Sequence, residues 1–252
     1  MIELSVILIT LNEEKNIHRC LSSLKGLADE LLILDSFSKD KTKEIAESFG
    51  ATVFQKEFEG YVKARREIES YAKNKHILAI DADEALSETL FNSILELKNN
   101  WKKEGYFVAR KTNYCGTWIK HSGWYPDKKL RLYKKGSGEW TGKYVHEKFI
   151  LFRGNKKGNL KGDLLHYSYY NENEHWERTE KYAHLSALEL FENGKRTNLF
   201  QIYLKTGLKF LRDYIKNLGF LDGKKGFQIC KITAWGTYMK YKSLKKRYEK
   251  SL

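Results

Sequence analysis

His76-Ile77-Leu78-Ala79-Ile80-Asp81-Ala82-Asp83-Glu84 opens as an aliphatic run and closes in three carboxylates within four residues. Followed by a helical pattern over 87–99, it reads as a strand whose carboxyl end carries an acidic turn. The same alternation extends on both sides of it. Toward the N-terminus lie apolar strand patterns at 4–10, 31–35 and 52–55, separated by helical patterns at 14–25, 41–48 and 60–73. Toward the C-terminus a further strand is expected at 105–110. Short strands alternating with helices are the signature of βαβ units and a parallel sheet. Residues 111–163 change character: they are rich in Gly, Trp, Tyr and Lys, with short strand-like pieces such as 129–133, and read as an irregular insert. Helical patterns return at 173–192, 198–217 and from 227 onward.

In open α/β sheets ligands sit beyond the carboxyl ends of the strands. Three polar clusters fall there: Thr10-Leu11-Asn12-Glu13-Glu14, Asp35-Ser36-Phe37-Ser38-Lys39-Asp40 and Asp81-Ala82-Asp83-Glu84. Each alone is explained by helix capping, for which Asn, Ser and Asp are the usual residues. Three on one sheet edge exceed what capping requires. In Asp81-Ala82-Asp83 the two carboxylates can splay apart as the chain leaves the sheet, one ligating a divalent cation and the other a ribose hydroxyl or a metal-bound water. Carboxylate oxygens suit Mg²⁺ or Mn²⁺, which complete their shells with substrate phosphates.

Composition sets the outer bounds. With 41% hydrophobic and 14% aromatic residues, the chain is too apolar to be disordered despite being 31% charged. Its net charge of +14 is uneven, since residues 195–252 hold 15 Lys and Arg against 3 Asp and Glu. A nearly neutral front and a basic tail suggest a tail that meets something anionic, or a merely solvated helical surface. Domains of 1–194 (donor half 1–110, acceptor side 111–194) and 195–252 are expected. Three scattered cysteines without a C-x-x-C pair point to a reducing compartment. The first eleven residues read as a strand and not a signal peptide. No apolar run is long enough to span a bilayer.

The clusters at 10–14, 35–42 and 81–84 resemble the inverting family 2 glycosyltransferases. Within that family the chain looks most like the lipopolysaccharide-core β-1,4-glucosyltransferases, on Gly123-Trp124-Tyr125-Pro126-Asp127, Leu130-Arg131-Leu132-Tyr133, Val145-His146-Glu147, His166-Tyr167-Ser168-Tyr169 and Gly219-Phe220-Leu221-Asp222-Gly223. The resemblance implies a GT-A, Rossmann-like α/β fold: a mostly parallel sheet with helices on both faces, followed by a helical basic region. It implies a UDP-sugar donor held by Thr10, Asn12, Glu13, Asp35, Ser36, Asp81, Ala82 and Asp83, with Asp83 on a Mg²⁺ or Mn²⁺ ion. A late histidine, His146 or His166, would complete the metal site or contact the diphosphate; either could instead be structural. Two positions depart from the pattern: Phe37 stands where a small residue is usual, and Lys41 where Gly is usual.

Inverting transfer needs a base for the acceptor hydroxyl. The first choice is Glu147 and the second Asp127, set against an ordinary surface ion pair. Arg65 and Arg131 are candidate diphosphate contacts, although the alternation Leu130-Arg131-Leu132 also allows a solvated Arg131. In the tail, Phe200, Leu204, Leu208, Leu211, Ile215 and Leu218 recur at helical spacing beside Lys205, Lys209, Arg212 and Lys216. Such a helix lies in an anionic membrane interface or packs its apolar face on the catalytic domain. The acceptor is expected to be a lipid-linked or lipopolysaccharide-core glycan, and the location cytoplasmic, on the inner face of the membrane. A sugar-nucleotidyltransferase would need a Gly-rich phosphate loop where Leu11-Asn12-Glu13-Glu14 stands. A nucleic-acid-binding protein would leave the acidic clusters unexplained, so no nucleic-acid partner is expected.

Overall fold

The computed structural model describes residues 1–142 and 147–249. The elements of the first half are β1 (Leu4–Thr10), α1 (Glu14–Ser22), β2 (Glu30–Asp35), α2 (Thr42–Ser48), β3 (Thr52–Gln55), α3 (Tyr61–Tyr71), β4 (His76–Asp81), β5 (Glu84–Leu86), α4 (Glu88–Asn99) and β6 (Gly105–Tyr114). There follow β7 (Thr117–Trp118), β8 (Asp127–Lys134), β9 (Gly138–Thr141), β10 (Lys148–Leu151), β11 (Lys157–Tyr169), α5 (Glu172–Glu192), α6 (Leu199–Leu211) and α7 (Gly223–Glu249). A π-helical turn, Arg212–Lys216, and a 3₁₀ turn, Gly219–Asp222, link α6 to α7. The chain divides into one compact unit of Met1–Lys111 with Asp127–Tyr167, and a second of Thr112–Pro126 with Ser168–Leu252. The boundary expected at 194 follows charge; contacts instead group α5 with α6 and α7.

In the first unit the strand order is β3-β2-β1-β4-β8-β6-β11-β5. The β3-β2-β1-β4 portion is parallel, and β8 joins β4, and β6 joins β8, antiparallel. The region expected to be irregular therefore supplies regular strands that widen the sheet, with a separate β9-β10 hairpin beside it. Alternation along the strands explains why both faces are covered. Leu4, Val6 and Leu8 meet Ile17, Leu21 and Ile94 of α1 and α4 on one face, while Ile7, Ile77 and Ala79 meet Ala64 and Ile68 of α3 on the other.

The second unit is built on α5 and α7, with α6 alongside α7. Asn171 and Asn198 start α5 and α6 by accepting from the backbone N–H of Glu174 and Gln201, the usual N-cap arrangement. Gly236 of α7 allows close packing, because a Cβ there would lie 2.4 Å from Thr179 of α5. A buried aromatic group of Tyr114, Trp124, Tyr169 and His175 closes one end. Among the described residues no helix is long and apolar enough to cross a membrane. The stripe Phe200, Leu204, Leu208, Leu211, Ile215, Leu218 is not packed away: each residue is between 44% and 73% exposed.

Burial, reinforced by Arg178, lowers the His175 pKa to about 4. The unfolded chain therefore takes up a proton near pH 6.5 that the folded state refuses. Stability is full above that value and drains as pH falls toward 4, by about 3 kcal/mol. Denaturant unfolding at pH 7 and pH 4.5 measures this, and a His175→Leu variant losing stability as steeply would assign the effect elsewhere.

Candidate active site

Register aligns the three acidic loops. Thr10 pairs with Asp35 across β1 and β2, and Ile9 with Asp81 across β1 and β4, so all three strands end level. The first two loops are laced together: the Asn12 N–H donates to Ser38 Oγ at 2.8 Å, the Lys39 N–H to Asn12 Oδ1 at 2.8 Å and the Glu13 N–H to Thr42 Oγ1 at 2.7 Å. Both loops turn through left-handed residues, Asn12 and Phe37 with φ of 55° and 58°. Asn adopts that region readily and Phe does not. Phe37 is nevertheless exposed, so its conformation is imposed by the bonds on either side and not by packing.

Asp35 supplies those bonds. Fully buried, it accepts from Thr10 Oγ1 (3.1 Å), Ser38 Oγ (2.5 Å), the Ser38 N–H (2.9 Å) and Gln55 Nε2 (3.1 Å). A nucleoside contacting Asp35 directly would have to displace one of these donors. Ser36 beside it is half-buried, and Asn12 is exposed.

At the end of β4 a chain of buried charges takes over. Arg65 of α3 is fully buried, paired with Asp81 Oδ1 and donating to the Ile80 carbonyl at 3.0 Å. Arg131 of β8 donates to Asp81 Oδ2 at 2.5 Å and Glu84 Oε1 at 2.9 Å. Arg110 of β6 reaches the same Glu84 oxygen at 3.4 Å and grips Asp127 through Nε and Nη2, at 3.0 and 2.7 Å. This corrects the expectation for both arginines. Arg65 sits under the sheet edge holding Asp81 and does not face outward to a diphosphate. Arg131 is buried, not solvated, because two carboxylates compensate its desolvation. Burial and the neighbouring Arg131 lower the Arg65 pKa to about 10, while Glu147 and Glu84 oppose the shift, so the guanidinium stays charged at neutral pH. Arg131→Met should cost about 3 kcal/mol, because it leaves the buried Glu84 and the partly buried Asp81 each short of a partner. An unchanged unfolding midpoint would show that the network does not hold this edge.

The tight turn from β4 to β5 separates the roles of the two aspartates, with Ala82 buried between them. Asp81 is held by two cations. Asp83 instead lies 3.2 Å from His166 Nε2, because β11 pairs with β5 antiparallel and the Tyr167 N–H donates to the Asp83 carbonyl at 2.8 Å. Both side chains stay within reach of solvent, 18% and 12% exposed. One carboxylate oxygen and one imidazole nitrogen converging on a point fit a divalent cation that takes its remaining ligands from phosphates and water. Two guanidinium groups make Asp81 unsuitable for the same task. Among the described residues no three His, Cys, Asp or Glu side chains form a metal cluster.

Glu147 is half-buried and close enough to Arg65 to favour its charged form, which places it in the same charged neighbourhood. His146 lies outside the described residues. Asp127 is clamped by Arg110 and by Lys129, whose Nζ is 3.2 Å away. Burial pulls the Asp127 pKa upward, but these two cations outweigh it and hold the value below the ordinary one. Sequence reasoning gave no role to Arg110 or Glu84, the two residues that tie Asp127 to the Asp81 turn. An arginine ending a strand pattern, opposite an acidic motif, was the available signal.

The sheet and its three level acidic loops define an α/β domain whose parallel strands end in one polar edge. The model of glycosyl transferase family 2 matches residues 5–158, and the chain belongs to that family. It is 28% identical to the lipopolysaccharide core biosynthesis glycosyltransferase LpsC of Rhizobium meliloti (strain 1021), over 94% of this chain and 93% of that protein. It is also 28% identical to an uncharacterized glycosyltransferase of Rickettsia typhi, over 100% of this chain and 89% of that one. Among solved structures it is similar to glucosyl-3-phosphoglycerate synthase from Mycobacterium tuberculosis in complex with Mn²⁺, UDP and glucosyl-3-phosphoglycerate. That likeness has a TM-score of 0.36 and 26% identity and covers 46% of this chain and 45% of that one. S. aureus TarS 1–349 aligns over 99% of this chain and 92% of its own, with a TM-score of 0.47 and 14% identity.

Proposed function

We propose that this glycosyltransferase is inverting and metal-dependent, and that it moves a hexose, glucose by its resemblance, from a UDP-sugar to a hydroxyl of a membrane-associated glycan such as lipopolysaccharide core. The observation that carries the reading is the Asp83–His166 pair standing at the same sheet edge as the interlocked loops after β1 and β2. The nucleoside would lie against Thr10, Asn12, Glu13 and Ser36, with Asp35 fixing the shape of that loop. A Mg²⁺ or Mn²⁺ ion on Asp83 and His166 would neutralise the charge of the departing diphosphate. Arg65 and Arg131 hold the Asp81 turn in place and so orient Asp83.

Glu147 is the base we assign to the acceptor hydroxyl. A base works best with a pKa near the operating pH, and Asp127, its carboxylate lowered by Arg110 and Lys129, is poorly matched to that task. The similarity to LpsC supports a lipopolysaccharide-core or other lipid-linked acceptor. The acceptor places the enzyme at the cytoplasmic face of the inner membrane. A screen of UDP-sugars for UDP release tests the reading: release should occur with one or a few donors, need Mn²⁺ or Mg²⁺ and stop on chelation. Release of pyrophosphate from a nucleoside triphosphate and a sugar phosphate would replace it with a nucleotidyltransferase.

A further inference from the structure

A helix of a water-soluble protein folds with its apolar stripe inward and its charges outward. Here α6 turns most of its apolar side chains outward and two of its lysines inward. Its buried residue is Ile202, and Lys205 and Lys209 lie half-buried against neighbours: the Lys205 ammonium sits 4.1 Å over the Tyr241 ring of α7, and Lys209 pairs with the buried Asp213 at 2.5 Å. The side turned away from α7 is the stripe from Phe200 to Ile215. Beyond it, the 3₁₀ turn carries Phe220 and Leu221 outward as well, 44% and 57% exposed.

That turn is firmly anchored. The Asp222 carboxylate accepts from the backbone N–H groups of Lys120 and His121 at 3.2 and 3.0 Å and from the Ser122 hydroxyl at 3.2 Å. Gly219 and Gly226 pack so closely that a Cβ on Gly226 would stand 1.9 Å from the Gly219 carbonyl oxygen. The exposed apolar side chains are therefore presented by a braced backbone.

We propose that the α6 stripe and the Gly219–Asp222 turn form one docking surface that inserts into the interface of a membrane containing anionic lipid. An uncovered apolar band of this kind marks an interaction site, and its surroundings select the occupant. Exposed cations stand at both ends, Lys195 and Arg196 before α6 and Arg212, Lys216 and Lys224 after it. This arrangement complements anionic headgroups and would repel a second copy, because the tail carries 15 Lys and Arg against 3 Asp and Glu. Asp213 internally compensates Lys209 and part of Arg212. Apolar insertion thus dominates the attachment, and charge adds to it.

The surface deepens the proposed function, because it holds the enzyme where a lipid-linked acceptor resides. The test is flotation of the full chain with phosphatidylcholine vesicles, with and without phosphatidylglycerol. The intact protein should bind best to the anionic vesicles and keep part of its binding when salt is raised. Leu208→Ser with Ile215→Ser, both exposed, should weaken binding at least about ten-fold by removing two inserted side chains. Arg212→Gln with Lys216→Gln should weaken it less. No binding to any vesicle, or equal binding by the serine variant, would overturn the surface. So would light scattering that shows a dimer lost in that variant, which would assign the stripe to a second copy. UDP binding measured on the same samples keeps failure of this surface separate from failure of the transfer reading.

Discussion

Asp83→Ala should abolish sugar transfer while shifting unfolding stability by no more than about 1 kcal/mol. The side chain is solvent-reachable and pairs with His166. The bond from the Tyr167 N–H goes to the main-chain carbonyl of Asp83 and survives the substitution. Asp81→Ala should behave differently, because it strips Arg65 and Arg131 of a shared carboxylate inside the protein and so costs stability as well as activity. Transfer by Asp83→Ala at the wild-type rate, or by wild-type enzyme after thorough chelation, would remove the metal from the account.

Replacing Glu147 by Gln should lower turnover by about 10² or more and leave donor binding intact, since the amide keeps the shape but cannot take the acceptor proton. Steady-state kinetics with saturating donor separates the two effects: the loss belongs in kcat, with the dissociation constant for UDP unchanged. An unimpaired Glu147→Gln variant would transfer the role to Asp127, despite the Arg110 and Lys129 contacts that hold that carboxylate ionised.

The strands that place the site are legible in the sequence because local pattern decides them. Residues 76–81 are apolar until Asp81, and the observed β4 ends on that residue; β1 and β2 likewise end on Thr10 and Asp35. What local pattern cannot carry is pairing between distant segments. Leu130-Arg131-Leu132 reads as simple alternation, but the strand is bulged there: Leu132 pairs with Tyr106 and Leu130 with Phe107, the two leucines join different core clusters, and Arg131 between them meets Asp81 and Glu84. Nor does spacing reveal that β11 returns His166 to the side of Asp83 through its pairing with β5. In the insert, β8 and β11 are interior strands of the sheet, hidden because lysines flank the short apolar run of β8 and Gly158 and Gly162 interrupt the pattern of β11. The amphipathic pattern of α6 is correct as a period. Its direction depends on which side α7 occupies, and that is a tertiary fact.

The central claim is a UDP-sugar site completed by a metal on Asp83, and calorimetric titration of the protein with UDP, in the presence and absence of Mn²⁺, addresses it most directly. The account predicts one UDP per chain, bound at least about ten-fold more tightly with Mn²⁺ than without, a gain that corresponds to about 1.4 kcal/mol. UDP affinity indifferent to the metal, or no UDP binding at all, would contradict it.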